Sequence, residues 1–235
     1  MVNEKNACFR LVEHNESFVL VSKNPGVSFH KTENFCGLCA CVKESLGIDE
    51  LFPVHRLDSM TSGLILFAKS SRIARELADQ FASHEIDKYY LAIGGNNPRK
   101  KQGKIAGSML KSRNGTWKLS RGTDGNYAVT NFLSVGLGNG FRLYLCKPQS
   151  GRTHQIRVAL KSIGAPVFGD SKYGKMAEGT FEADRGYLHS FAIRFWLNGD
   201  EYKFWELPQD GKLFLSEEFR TGFNKFAHQL ECLLK

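Results

Sequence analysis

Short apolar runs, broken at close intervals by turns, constrain this chain more than any other feature of its sequence. Residues 18–22 alternate and are rich in β-branched side chains, which predicts a strand, and Lys23-Asn24-Pro25-Gly26 then supplies a turn. Residues 63–67 are apolar throughout and predict a buried strand. Residues 88–93 read as another strand, ended by Gly94 and Gly95. Two more, 127–135 and 141–146, flank a glycine-rich turn at 136–140. Helical patterns fall between them. One covers about 35–46, with Cys36, Cys39 and Cys41 packing inside. A second is capped by Ser70 or Ser71 and turns Ile73, Leu77 and Phe81 inward, a third covers 153–162, and a fourth, about 216–234, is capped by Ser216 with Phe219, Phe223, Phe226, Leu230 and Leu233 on one face. Strands and helices do not alternate regularly, so an α+β fold is expected rather than a doubly wound sheet. Without repeats or a low-complexity linker, residues 1–235 read as one domain with a core at about 15–205.

Composition narrows the functional classes. With 42% of its residues hydrophobic and 12% aromatic, the 235-residue protein can bury a sizeable core, which excludes intrinsic disorder. No apolar stretch is long enough for a membrane span, and Glu4, Lys5 and Asn6 interrupt the place where a leader needs an apolar run. A cytoplasmic protein is therefore expected. Six cysteines in such a compartment are expected as free thiols. The spacing of Cys36 and Cys39 is half of a zinc site, but no second close pair follows, so no metal is expected.

Charge is unevenly placed. Lys and Arg number 32 against 24 Asp and Glu, a formal charge of +8. Between residues 99 and 121 stand Arg99, Lys100, Lys101, Lys104, Lys111, Arg113, Lys118 and Arg121, with no acidic residue. This segment alone carries a surplus equal to that of the whole chain. It reads as a flexible hairpin or loop excursion, either a solvated basic surface or an arm that contacts phosphates.

Three polar clusters can carry chemistry. His55-Arg56-Leu57-Asp58-Ser59-Met60-Thr61-Ser62-Gly63 forms a loop before a buried strand, where Asp58 is placed either as a nucleophile or base, or merely as a partner of Arg56. Gly151-Arg152-Thr153-His154-Gln155-Ile156-Arg157 opens a helix after a turn, and its donors suit a carboxylate or phosphate, or a capping network. Lys88-Tyr89-Tyr90-Leu91-Ala92 lies on a strand that sends its two tyrosines to opposite faces.

Taken in this order, the clusters resemble the RluA-type pseudouridine synthases. Lys23-Asn24-Pro25-Gly26, Ala128-Val129-Thr130, Gly169-Asp170 with Tyr173-Gly174, and Leu188-His189 add to the likeness, which covers about 18–191. The chain departs from the family at three points. Asn24 displaces the proline of the first motif by one place, Ala159 stands where a histidine is usual, and Ala165 follows Gly164 where a histidine is frequent. The family often carries an N-terminal S4 RNA-binding domain, for which a first motif near Phe18 leaves no room.

The resemblance implies a mixed, largely antiparallel sheet and isomerisation of uridine to pseudouridine in structured RNA, in a ribosomal or transfer RNA stem-loop. It implies no cofactor. Asp58 becomes the nucleophile, Arg157 its cation, and Tyr90 the ring that stacks on uracil, with a hydroxyl available for the later proton step. Ile156 becomes an apolar wall, and Arg56 the side chain that fills the space of a flipped uridine. His55, Arg152 and His154 support the motifs or reach phosphate, and Lys100, Lys101 and Lys104 hold RNA. A monomer without an obligate protein partner is the default. Two other readings remain: an idle RNA-binding protein of the same fold, which the intact Asp58, Tyr90 and Arg157 argue against, and a hydrolase, for which a second carboxylate or metal cluster is missing.

Overall fold

The computed structural model describes residues 8–33, 35–95, 97–122, 126–174, 182–226 and 230–231. The chain starts with strands β1 (Phe9–His14) and β2 (Phe18–Lys23), helix α1 (Leu38–Leu46), the short β3 (Phe52–Pro53), and β4 (Ser62–Ala68). Helix α2 (Ser71–Ala82) leads to β5 (Asp87–Gly95), β6 (Gly103–Lys111), β7 (Trp117–Ser120), β8 (Tyr127–Gly138) and β9 (Phe141–Pro148). Helix α3 (Gln155–Ser162), β10 (Leu188–Leu197), β11 (Asp200–Trp205) and α4 (Glu217–Asn224) complete it.

The strands form one sheet in the order β1-β2-β4-β10-β5-β9-β8-β6-β7, with β3 added to β4 and β11 to β10. Every pairing is antiparallel except that of β4 with β10, where His189 lies opposite Ser62 and Ser190 opposite Gly63. The expected mixed, largely antiparallel sheet is the one observed. One apolar cluster packs Val19, Val21, Ile65, Leu91, Tyr144 and Phe191 with α1, α3 and α4, and a second packs Phe18, Leu20, Leu64 and Leu66 with α2. Alternation along β2 and β4 feeds both clusters, which is why these strands are buried on both faces.

The caps follow expectation. Ser70 accepts from the Ile73 N–H at 3.3 Å and Ser216 from the Phe219 N–H at 3.2 Å. The first helix differs. It starts at Leu38 rather than near Phe35, because Gly37 takes φ +91 against the Lys31 and Phe29 backbone, a conformation no helix continues through. The thiols do not fill its inner face either, which is held by Leu38 and Val42. Cys36 is exposed, Cys39 and Cys41 are half-buried, and Cys41 Sγ lies 3.4 Å from both Cys8 Sγ and Cys36 Sγ. Among the described residues no group of His, Cys, Asp and Glu is arranged to hold a metal, and no helix is long and apolar enough to cross a membrane.

The basic excursion is built as β6, a 3₁₀ turn over Arg113–Gly115, and β7 at the sheet edge, rather than as a loose loop. At the other end of the chain α4 stops at Asn224, and Leu230 and Glu231 are helical again. Leu233 and Cys232 lie outside the described residues.

Gly63 sits on the parallel seam at φ +98, and a Cβ there would run into the Ser190 carbonyl oxygen. The left-handed backbone and the close approach both require glycine. Gly63→Ala should therefore cost at least about 2 kcal/mol. Urea unfolding of the variant measures this, and a midpoint equal to that of the parent would show that the seam relaxes freely.

Candidate active site

Asp58 lies in the loop before β4, which is knotted from below. Lys23, fully buried at the end of β2, donates from Nζ to the carbonyls of Asn24 at 2.9 Å, Val27 at 3.0 Å and Ser59 at 3.0 Å. The Gly26 N–H also donates to the Ser59 carbonyl at 2.8 Å. The first turn is thus sewn to the residue after Asp58. What the knot needs is the lysine and a residue at φ +82, supplied by Gly26, so a displaced proline does not undo it. Burial, reinforced by Arg185, pulls the Lys23 ammonium down to about 7, while Asp58 and Asp210 pull the other way.

Arg157 joins the loop to the helix. It stands in the first turn of α3, buried, and donates from an Nη to Asp58 Oδ2 at 2.8 Å. Its Nε and other Nη bond Asp170 at 2.7 and 2.8 Å as a planar fork. Asp170 is itself fixed by the N–H groups of Lys172 at 3.0 Å and Tyr173 at 3.2 Å. Burial opposes the Arg157 charge, but its bonds to Asp170 and Asp58 outweigh this and raise its pKa. The Asp58 side chain remains 22% exposed while that of Asp170 is fully buried. One carboxylate therefore anchors the arginine and the other is presented to the outside.

It is presented to a cavity of about 550 Å³, which Tyr90, Ile156 and Arg157 line together with Asp58, Lys88 and Arg152. That volume suits a small ligand or a single nucleotide. A second cavity of about 320 Å³ meets Asp58 from the side of Phe29, His30 and Lys172. Tyr90 faces the larger cavity and Tyr89 a groove lined by Lys104 and Lys147, as strand alternation predicts. Burial pushes the Tyr90 phenol up to about 12, a hydrogen bond with Ser190 opposing and the Asp58 charge adding to the shift.

Known proteins place this arrangement. Residues 17–162 match the family model for RNA pseudouridylate synthases. The chain belongs to the RNA pseudouridylate synthase family. An uncharacterised RNA pseudouridine synthase of Haemophilus influenzae is 43% identical over 185 residues, covering 79% of this chain and 81% of that protein. Ribosomal large subunit pseudouridine synthase D of Borreliella burgdorferi is 33% identical over 172 residues, 72% of this chain but only 52% of its relative. This chain thus spans about half of that protein's length. The fold is shared with human RNA pseudouridylate synthase domain containing 1, at TM-score 0.71 and 22% identity, over 85% of this chain and 83% of that one. The protein is accordingly an RNA pseudouridine synthase, an isomerase.

The remaining expected residues of the synthase divide into those at the cavity and those outside it. His55 lines the cavity, but its ring is packed on Phe81 and its Nε2 accepts the Leu66 N–H at 2.9 Å. Burial drives it down to about 3, so it is a neutral scaffold. Arg56 is exposed and held between His30 Nε2 at 3.3 Å and Thr153 Oγ1 at 3.2 Å. Lys100, Lys101 and Lys104 do not line the cavity; the first two precede β6 and Lys104 stands within it. Gln155 holds the segment 151–157, donating to Val129 O at 2.9 Å and accepting from Ser150 Oγ at 2.7 Å.

His154 takes φ +58 just before α3. The Tyr173 hydroxyl accepts the Trp117 N–H at 2.8 Å and is hydrogen-bonded with His154 Nδ1, also at 2.8 Å. Burial lowers the pKa of His154, with the Asp58 charge opposing. The His154 Nε2 lies 4.0 Å from Asp58 Oδ1. Asp170 and Tyr173, which make this geometry, are legible in sequence only as parts of a downstream signature, since neither sits in a polar cluster.

The two carboxylates should respond differently to loss of charge. Asp170→Asn breaks a buried fork and should cost about 3 kcal/mol or more, lowering the melting temperature by roughly 6–12 °C. Asp58→Asn leaves Arg157 paired and should change the melting temperature by much less. Calorimetry of both variants checks this, and equal losses would contradict the division of labour.

Proposed function

We propose that this synthase isomerises uridine in ribosomal or transfer RNA with Asp58 as nucleophile, and that the whole chain acts as one cytoplasmic, monomeric catalytic unit without an obligate protein partner. The names of the Borreliella protein and of ribosomal large subunit pseudouridine synthase C of Rickettsia bellii favour the large ribosomal RNA. The observation that carries the proposal is the Asp58 carboxylate, fixed by Arg157 at 2.8 Å and open to a cavity with a tyrosine and an isoleucine in its wall.

The reaction breaks the N1–C1′ bond, forms C5–C1′, removes the C5 proton and leaves a proton on N1, with no net oxidation. Asp58 attacks C1′ and uracil departs into the cavity. Arg157 stabilises the carboxylate before the attack and after its release. Tyr90 and Ile156 hold the freed base, which turns to present C5. Closure of C5 on C1′ frees the carboxylate, which is then a base within reach of the C5 proton. Tyr90, held neutral up to about pH 12, serves by ring packing and as a donor rather than as that base. Arg56, exposed beside the cavity mouth, is placed to occupy the helix space left by a flipped uridine.

RNA carrying tritium at uridine C5 tests this. Wild type should release tritium and Asp58→Asn should lose at least about 10³-fold, as expected when a covalent nucleophile is removed. Binding without release from any cellular RNA pool would favour the idle RNA-binding protein.

The basic segment supplies general attraction in this reading. Neutralising Lys100, Lys101 and Lys104 should weaken RNA binding and reduce the slope of log K against log salt by up to about 2–3. An unchanged slope would remove the segment from the interface.

A further inference from the structure

Lys88 stands on β5 two residues before Tyr90, so both side chains project to the cavity face. It is among the buried charged residues of the protein. Its Nζ lies 4.8 Å from the centroid of the Phe81 ring, on α2. Among the described residues no carboxylate forms an ion pair with it. Its strand neighbour Asp87 is engaged by Lys147 at 2.6 Å and Arg194 at 2.5 Å. Asp58, on the same cavity, is held by Arg157. The groups that face Lys88 are His55 from the loop before β4, which is neutral, and His84 after α2, with Arg152 in the wall of the same cavity and the apolar Ile193 opposite on β10. Burial alone moves its pKa, down to about 8, with no acid to restore it.

An ammonium taken out of water without a counter-charge is costly, and a methionine, one atom shorter, would fill most of the space without that cost. A cation kept at the edge of a substrate cavity in spite of this is suited to an anion that arrives with the substrate. On the reading that the substrate is RNA, the anion available there is a backbone phosphodiester. We propose that Lys88 is a phosphate-binding residue of the active-site cavity, which receives a phosphodiester flanking the target uridine once that nucleotide has entered. It engages after docking, unlike the exposed lysines of the basic segment. Its effect falls on the productive complex.

The test is kcat/KM for tritium release from bulk cellular RNA labelled at uridine C5, measured across salt and pH for wild type, Lys88→Met and Lys88→Arg. Lys88→Met should lower kcat/KM about tenfold and reduce the salt slope by about 0.7–0.9, the share of one phosphate contact. It should also unfold at the same or a higher temperature, because a buried charge is gone. Lys88→Arg should restore most of the activity and the slope. Wild-type kcat/KM should fall about fivefold between pH 7 and 9 relative to the arginine variant, as free Lys88 loses its proton. Lys23 titrates in both proteins and cancels in that comparison.

A wild-type salt slope in Lys88→Met, or identical pH profiles for wild type and Lys88→Arg, would overturn the phosphate site while leaving the isomerase reading intact. Absence of release by wild type would overturn the isomerase reading instead. The slopes would then be read by filter binding of the same RNA, which needs no turnover.

Discussion

One guanidinium holds the site together. Arg157 makes three bonds to two carboxylates, and those carboxylates belong to segments far apart in the chain. Asp58 comes from the loop before β4, Asp170 from the segment after α3, and Arg157 from α3 itself. The fork on Asp170 fixes the plane of the guanidinium, which leaves only one direction for the remaining Nη. Asp58 receives that bond and so has its position set by a residue that never touches the cavity. An arginine free to rotate would pair equally well with either acid. The N–H groups that pin Asp170 remove this freedom.

The sheet gives this ion pair a rigid floor. Its single parallel pairing, β4 with β10, lies directly below the Asp58 loop, where Ser62 and His189 are bonded at 2.8 Å and His189 is bonded in turn to the Glu206 carbonyl at 2.9 Å. Burial drives His189 down to about 3, so this link is neutral and indifferent to ordinary pH. Lys23 adds three bonds from the other side. A loop bonded to carbonyls on one side and to a strand seam on the other has little room to drift, which the proposed covalent step at a single carbon requires.

Much of this was legible in the sequence and some was not. Strands such as β2, β4, β5 and β9 announce themselves because they bury both faces or alternate cleanly between turns. Strands β6, β7 and β11 do not, since lysines, glycines and glutamates on an exposed edge look like loop. Only the tertiary pairing with β8 and β10 makes strands of them. In the site, Asp58, Tyr90 and Arg157 stand in dense polar motifs and could be picked out. Asp170 could not be given its role, because a bidentate partner is defined by the plane of an arginine thirteen residues away and not by its own neighbours. His55 shows the converse. It stands inside the most polar motif of the chain, yet its ring is spent on the Leu66 N–H and the Phe81 face.

The cations of the protein do two kinds of work, and burial separates them. Those between residues 99 and 121 sit mostly on an exposed edge hairpin, where solvent and salt screen each charge to a fraction of a kilocalorie per mole. In the proposed reading their use is collective, a long-range field that raises the local concentration of a polyanion without choosing among its parts. Lys88 and Arg157 contribute little at a distance, but they are withdrawn from water and would act at contact range in the cavity proposed to accept one nucleotide. Discrimination follows from that difference, because a desolvated cation penalises every bound pose that fails to bring it an anion. An RNA held only by the hairpin leaves Lys88 uncompensated, and one whose uridine is fully seated relieves it. The energy that distinguishes the two is thus placed beside Asp58 rather than at the surface.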